Sequence, residues 1–183
     1  MGSGVIVDNW WTYLPWSDII NHGGVDNRGK RLRSKLSALE LVGPLLVVCC
    51  NTEELRGKPI QVHVDNSGSV EIWRKGYSSS CDLSTTLVKT IHQVAVAFEC
   101  DVDIIKITMC SNDRATMADA ISKASFRKFH EVAKNSGREL EASPRPIPKA
   151  IKQWIEHPVK DWLLGQKILK ELAMDRMVIG YNC

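Results

Sequence analysis

The sequence predicts an α/β fold, a sheet containing parallel strands covered by helices. Two short apolar runs of strand length carry this reading, residues 60–65 (Ile-Gln-Val-His-Val-Asp) and 103–109 (Asp-Ile-Ile-Lys-Ile-Thr-Met). Each is followed by a polar turn and then by a helical pattern, the alternation that βαβ connections produce. The third observation is size: 183 residues, 44% hydrophobic and 25% charged, suffice for one buried core plus an appendage. That composition is neither disordered nor fibrous.

Taken in order, residues 4–11 read as a strand, with Val5, Ile6 and Val7 leading into paired tryptophans. Residues 15–30, rich in Gly, Asn and Asp, read as a loop. Ser34 can cap a helix running to about Asn51, with Leu36, Leu39, Val42 and Leu46 near one face and Pro44 kinking or opening it. A turn at Gly57-Lys58-Pro59 precedes the strand 60–65, and a second turn at 66–68 leads into a short helix, 69–75, stopped by Gly76. Residues 84–99 form a longer amphipathic helix bearing Leu87, Val88, Ile91, Val94, Ala95 and Phe98. After the strand 103–109 come a polar loop, 111–116, and a helix from Met117 to about Lys134. Pro144, Pro146 and Pro148 mark residues 135–148 as a linker. Pro148 then opens a helix, His157-Pro158 breaks it, and residues 161–173 form another. The expected organisation is a domain over 1–134, a Pro-rich linker over 135–148 and a C-terminal helical extension over 149–183. No internal repeat is present.

The longest apolar run, residues 45–50, is far too short to span a bilayer, and no secretory signal pattern opens the sequence. Six cysteines, at 49, 50, 81, 100, 110 and 183, form no CxxC pair, and several sit in apolar runs. A reducing intracellular location, cytoplasm or nucleus, is the expectation. The net charge of +3 says less than its distribution. Arg28, Lys30, Arg31, Arg33 and Lys35 crowd just ahead of a predicted helix, where cations oppose the macrodipole. They form either a solvated loop or a phosphate-backbone contact.

Three carboxylates stand out. Asp65 ends the alternating strand, where open α/β sheets collect their sites. Asp119 falls near the start of the helix that follows the other strand, and Glu40 lies mid-helix in an apolar stretch. Convergent carboxylates can hold Mg²⁺, a hard cation that shares its shell with substrate phosphates, and two such ions serve phosphodiester hydrolysis. Singly, each has a structural alternative: Asp65 as a turn residue, Asp119 at a helix N-terminus, Glu40 as an exposed helix residue. Other motifs are weaker. Gly24 to Arg31 fits G-x-x-x-x-G-K, but Arg31 replaces the Ser/Thr that binds Mg²⁺. The histidines and cysteines lack zinc spacing, and Ser78-Ser79-Ser80 lacks an adjacent base. Trp10, Trp11, Trp16 and Trp73 are base-stacking candidates or, more ordinarily, partly buried structural residues.

Three stretches, in order, resemble the RNase H domain adjoining retroelement reverse transcriptases of the tyrosine-recombinase and related fungal-like type. They are Ala38-Leu39-Glu40-Leu41, then Val64-Asp65-Asn66-Ser67-Gly68 through Lys75-Gly76, and Met117-Ala118-Asp119-Ala120-Ile121-Ser122-Lys123. With the opening strand, the resemblance covers about residues 4–125. It implies an RNase H-like mixed sheet flanked by helices, with Glu40, Asp65 and Asp119 as catalytic metal ligands for Mg²⁺ or Mn²⁺. It also implies hydrolysis of RNA in RNA–DNA hybrids, with Asn66 and the Arg28–Lys35 cluster on the nucleic acid and a reverse-transcriptase polymerase domain as neighbour. The family's first strand supplies a further Asp just before a Gly-x-Gly turn; Gly2-Ser3-Gly4 looks like that turn, so the strand would lie before Met1. Asp8 is misplaced to substitute for it, and residues 110–116 lack the family's frequent histidine. The alternative is a non-catalytic RNase H-like module that binds nucleic acid or, through residues 149–174, a protein partner.

Overall fold

The structure, a computed structural model, describes residues 1–17, 20, 36–78, 81–107, 112–158 and 160–180. The basic cluster from Arg28 to Lys35 and the capping residue Ser34 lie outside the described residues.

The chain opens with a hairpin, β1 (Gly2–Val7) and β2 (Trp10–Pro15), paired antiparallel with Val7 opposite Trp10 and Gly2 opposite Pro15. The expected single strand over 4–11 is therefore two strands folded at Asp8-Asn9. Asp8 adopts φ 51°, and Asp and Asn are the residues whose short polar side chains tolerate that left-handed region in two-residue turns. The first helix ends early: α1 (Leu36–Leu39) stops at Glu40, and α2 (Val42–Cys49) restarts after Leu41. Pro44 accounts for the break, since its ring clashes with the carbonyl four residues back, that of Glu40, and so acts one turn upstream. The Glu40 carbonyl instead accepts from Gly43 N at 3.3 Å, while Pro44 sits in the first turn of α2, where no N–H is required. A short helix, α3 (Thr52–Leu55), follows.

Strand β3 (Pro59–Val64) pairs parallel with β4 (Asp101–Lys106), Ile60 facing Val102 and Val64 facing Lys106. Its alternation is as expected: Ile60, Val62 and Val64 are buried, Gln61 and His63 exposed. Between the strands run α4 (Ser67–Lys75), ended by Gly76 at φ 73°, and the long α5 (Asp82–Ala97). After β4 the single helix expected to about Lys134 is two, α6 (Asp113–Ser122) and α7 (Phe126–Asn135), separated where Ala124 takes φ 55°. Helices α8 (Lys149–Glu156) and α9 (Leu164–Gly180) complete the described elements. The class is mixed α/β. The mixed sheet expected as one unit is, among the described residues, two separate two-stranded sheets.

Helix α2 is apolar on nearly every side and correspondingly central, with Val42, Leu45, Leu46, Val47 and Val48 all buried. Leu87, Val88, Ile91 and Val94 of α5 pack in the same cluster. So do Ile147, Ile151, Trp154, Ile155, Leu164 and Ile168, so the C-terminal helices share the main core and form no detached appendage. A second cluster joins Trp11 to Met117, Ala120 and Ile121 of α6 and to Phe129 and Ala133 of α7.

The Pro-rich segment expected to be a linker is instead a strap along the outer edge of β2. Glu141 N donates to Asn9 O at 2.7 Å and Arg145 N to Trp11 O at 2.8 Å, while Thr12 Oγ1 donates to Arg145 O at 2.9 Å. The Arg145 side chain fixes the strap: it donates to both Glu141 carboxylate oxygens (3.1 and 2.7 Å), to Glu54 (2.9 Å) and to Asn51, and it lies over the Trp10 ring. The extended prolines suit this course because they need no backbone donor.

Truncation tests the shared core. Ile151, Trp154, Ile155, Leu164 and Ile168 are each at most 5% exposed. At about 1.5–3 kcal/mol per buried large apolar side chain, their loss matches the whole stability of an ordinary domain. A chain ended after Pro148 is expected to lose its cooperative thermal transition by circular dichroism; an unchanged transition would show the helices to be dispensable.

Candidate functional site

Between the two sheets lies a cavity of about 570 Å³. β1 borders it on one side and β3 on the other, with residues from the α1–α2 break, α2 and α6 completing the lining. The faces follow from strand alternation. A Cβ on Gly4 would meet Ile121 Cβ at 2.8 Å and Ala118 O at 2.9 Å, so Gly4 faces α6; Val5, the next residue, lies against Gly43 and so faces α2. The cavity is thus a slot with a strand on each long side and a helix on each face.

All three carboxylates singled out from the sequence line this slot. Glu40 is half-buried at the α1–α2 break, and its carboxyl is pushed up to about 7, first by burial and then by the negative charge of Asp65. Asp65 follows the last residue of β3. Asp119 lies in the middle of α6, not at the start of a helix, and pairs with Lys123 one turn on, Oδ1 to Nζ at 2.7 Å. Glu40 and Asp65 therefore form a mutually repelling pair, while Asp119 is already matched by a cation.

Oxygen donors of this kind suit Mg²⁺ or Mn²⁺ in type, and repulsion between two carboxylates is what a divalent cation relieves. Among the described residues no three His, Cys, Asp or Glu side chains converge as a metal-holding group. Glu40, Asp65 and Asp119, expected as one ligand set, share a cavity.

Asn66 is occupied structurally. It caps α4, its side-chain oxygen accepting from Ser69 N and from Ser37 Oγ, both at 3.1 Å, which ties α4 to α1 beside Glu40. Three further charged residues line the slot, of which only Asp8 was weighed from the sequence, and set aside as a ligand. Lys123 was legible only as an i,i+4 partner of Asp119. Arg114 and Asp8, 3.6 Å apart, link α6 to the β1–β2 turn across a separation that no local pattern encodes. The cysteines at 49, 50, 81 and 100 are free thiols, and burial pushes that of Cys50 up to about 12. No helix among the described residues is long and apolar enough to cross a membrane.

Comparison with protein-family models, with curated proteins and with solved structures finds no match to this chain.

Substitutions at two positions test the site's physics. A folded-state value raised to about 7 means that Glu40 contributes its full stability below about pH 4.5 and loses it as pH rises through 7. Glu40→Gln should therefore match the parent at pH 5 and exceed it at pH 8 by roughly 1–2 kcal/mol after discounting for solvent screening. Urea titrations at the two pH values give this directly, and equal gains at both would sink the burial account. Asn66→Ala should cost about 1 kcal/mol at either pH through loss of the cap, with Asn66→Asp close to neutral.

Proposed function

We propose that the chain is an RNase H-like module of the retroelement reverse-transcriptase type, engaging RNA–DNA hybrids at the acidic slot. The observation that supports this is the meeting of Glu40, Asp65 and Asp119, from three separate elements, at one cavity. Those are the residues that the motif resemblance marks, and nothing in their local sequence requires them to meet. In this reading the acidic lining faces the scissile region. Glu40, with its carboxyl near 7, is the group able to exchange a proton at neutral pH. The basic stretch from Arg28 to Lys35 is proposed to contact the phosphate backbone, and a polymerase domain is the proposed neighbour.

A second reading has its own observation. Asp119 is neutralised by Lys123, and no three-ligand group forms among the described residues. That favours a module which binds hybrid without cutting it. One experiment separates the two: purified chain incubated with a labelled RNA–DNA hybrid and Mg²⁺ or Mn²⁺, beside Asp65→Asn, with binding and cleavage read in parallel. The nuclease reading expects cation-dependent cleavage that falls at least 100-fold in Asp65→Asn. Hybrid binding without cleavage supports the second reading. Cleavage that survives the substitution, or absence of any binding, rejects the acidic slot as the site.

A further inference from the structure

The four tryptophans weighed from the sequence as base-stacking residues are at most 8% exposed, and their rings are spent on packing. Helix α7 and strand β2 instead present a different set of rings. Phe129 and Ala133 of α7 face the second core cluster, so Phe126, His130 and Lys134, at four-residue intervals, run along one border of that buried face, with Arg127 beside them. Phe126 is 36% exposed, and His130, Lys134 and Arg127 are exposed. From β2, Trp11 and the half-buried Tyr13 project from the same strand face to meet this border. The Tyr13 and Phe126 rings meet edge to face with centroids 5.4 Å apart, and the Trp11 and His130 rings are perpendicular at 6.2 Å. Buried Trp11 and Phe129, 5.0 Å apart, form a floor that holds the outer rings in position.

We propose that Tyr13, Phe126 and His130 form a stacking platform for an unpaired nucleic-acid strand that continues from the acidic slot, with Arg127 and Lys134 on its phosphates. The composition selects the occupant. A protein partner is met best by a continuous apolar face, whereas here rings alternate with cations, the pattern on which bases stack and phosphates pair. Among the described residues neither Arg127 nor Lys134 makes an ion pair, so both charges are available to a ligand. The surface adjoins the slot at two points. Lys123, just ahead of Phe126, lines the slot, and a Cβ on Gly2, another lining residue, would stand 2.6 Å from Tyr13 Cε2. From Phe126 to Lys134 the row is about 12 Å long, room for three or four nucleotides at roughly 3.4 Å each. The continuation from the slot rests on the function proposed above; the stacking surface is tested apart from it.

The probe is an end-labelled oligothymidylate of eight nucleotides, its binding to the full chain read by fluorescence anisotropy. Phe126→Leu keeps an apolar side chain against Trp11 but removes the ring, and should weaken binding at least fivefold at an unchanged melting temperature. Replacing Arg127 and Lys134 together by Gln should lower the slope of log affinity against log salt by about 1.4, the value for two phosphates of a single strand. The proposal is overturned by equal binding of an abasic oligomer or of oligoglutamate, which marks a basic patch alone. Unchanged affinity in Phe126→Leu, or absence of oligothymidylate binding, overturns it as well. A blunt RNA–DNA hybrid separates this surface from the slot: its affinity should be the same in Phe126→Leu, while a single-stranded extension should tighten binding in the parent only. Blunt hybrid that binds and gains nothing from the extension rejects the platform and leaves the slot reading standing. Oligothymidylate binding that depends on Phe126, with no binding of blunt hybrid, rejects the slot reading and supports the platform.

Discussion

The contact between Gly4 and α6 is the constraint on which the rest of the slot depends. A side chain at position 4 would strike backbone and Cβ atoms of α6 below 3 Å, so the helix lies directly on the strand. Ile121, which that approach covers, is 0% exposed, and Asp119, two positions earlier on the same helix, lines the cavity. On the opposite side of the strand, Val5 against Gly43 holds α2, and with it the α1–α2 break that carries Glu40. Two adjacent residues of one strand thus fix the helices that bring two of the three carboxylates to a common space.

Pro44 supplies the complementary displacement. A continuous helix from Leu36 to Cys49 would run Glu40 along an apolar face; the break one turn before Pro44 leaves it half-buried beside Asp65 instead. Its raised proton affinity follows from that position, since burial dominates and the neighbouring negative charge adds to it. The charge pattern of the slot is asymmetric in consequence: a repelling pair at the β3 end, and ion pairs Asp119–Lys123 and Asp8–Arg114 along α6.

Much of this was legible in the chain. The alternation of Ile60, Val62 and Val64, the stop at Gly76 and the long apolar face of α5 all act locally, and local rules read them. What escaped was built from backbone. The strap's bonds from Glu141 and Arg145 to Asn9 and Trp11 use main-chain groups separated by more than 130 residues, and three prolines look the same in a strap as in a linker. The α6–α7 corner turns on Ala124 at positive φ, without Gly or Pro to announce it. In the site, the three acidic residues were identifiable as a set and Lys123 as a local partner of Asp119, but the contacts made on docking were not. A salt bridge such as Asp8–Arg114 exists only after the hairpin and α6 have docked.

The way the edges are distributed governs how this molecule can associate. The strap occupies the outer edge of β2, and β4 presents exposed Asp101, Asp103 and Lys106, charges that discourage a neighbouring strand. Sheet growth outward, the route to fibrils, is closed on one flank and electrostatically opposed on the other. The inward edges of β1 and β3 border the cavity, between α2 and α6. Pairing through an outer strand edge is therefore disfavoured on both flanks of the fold.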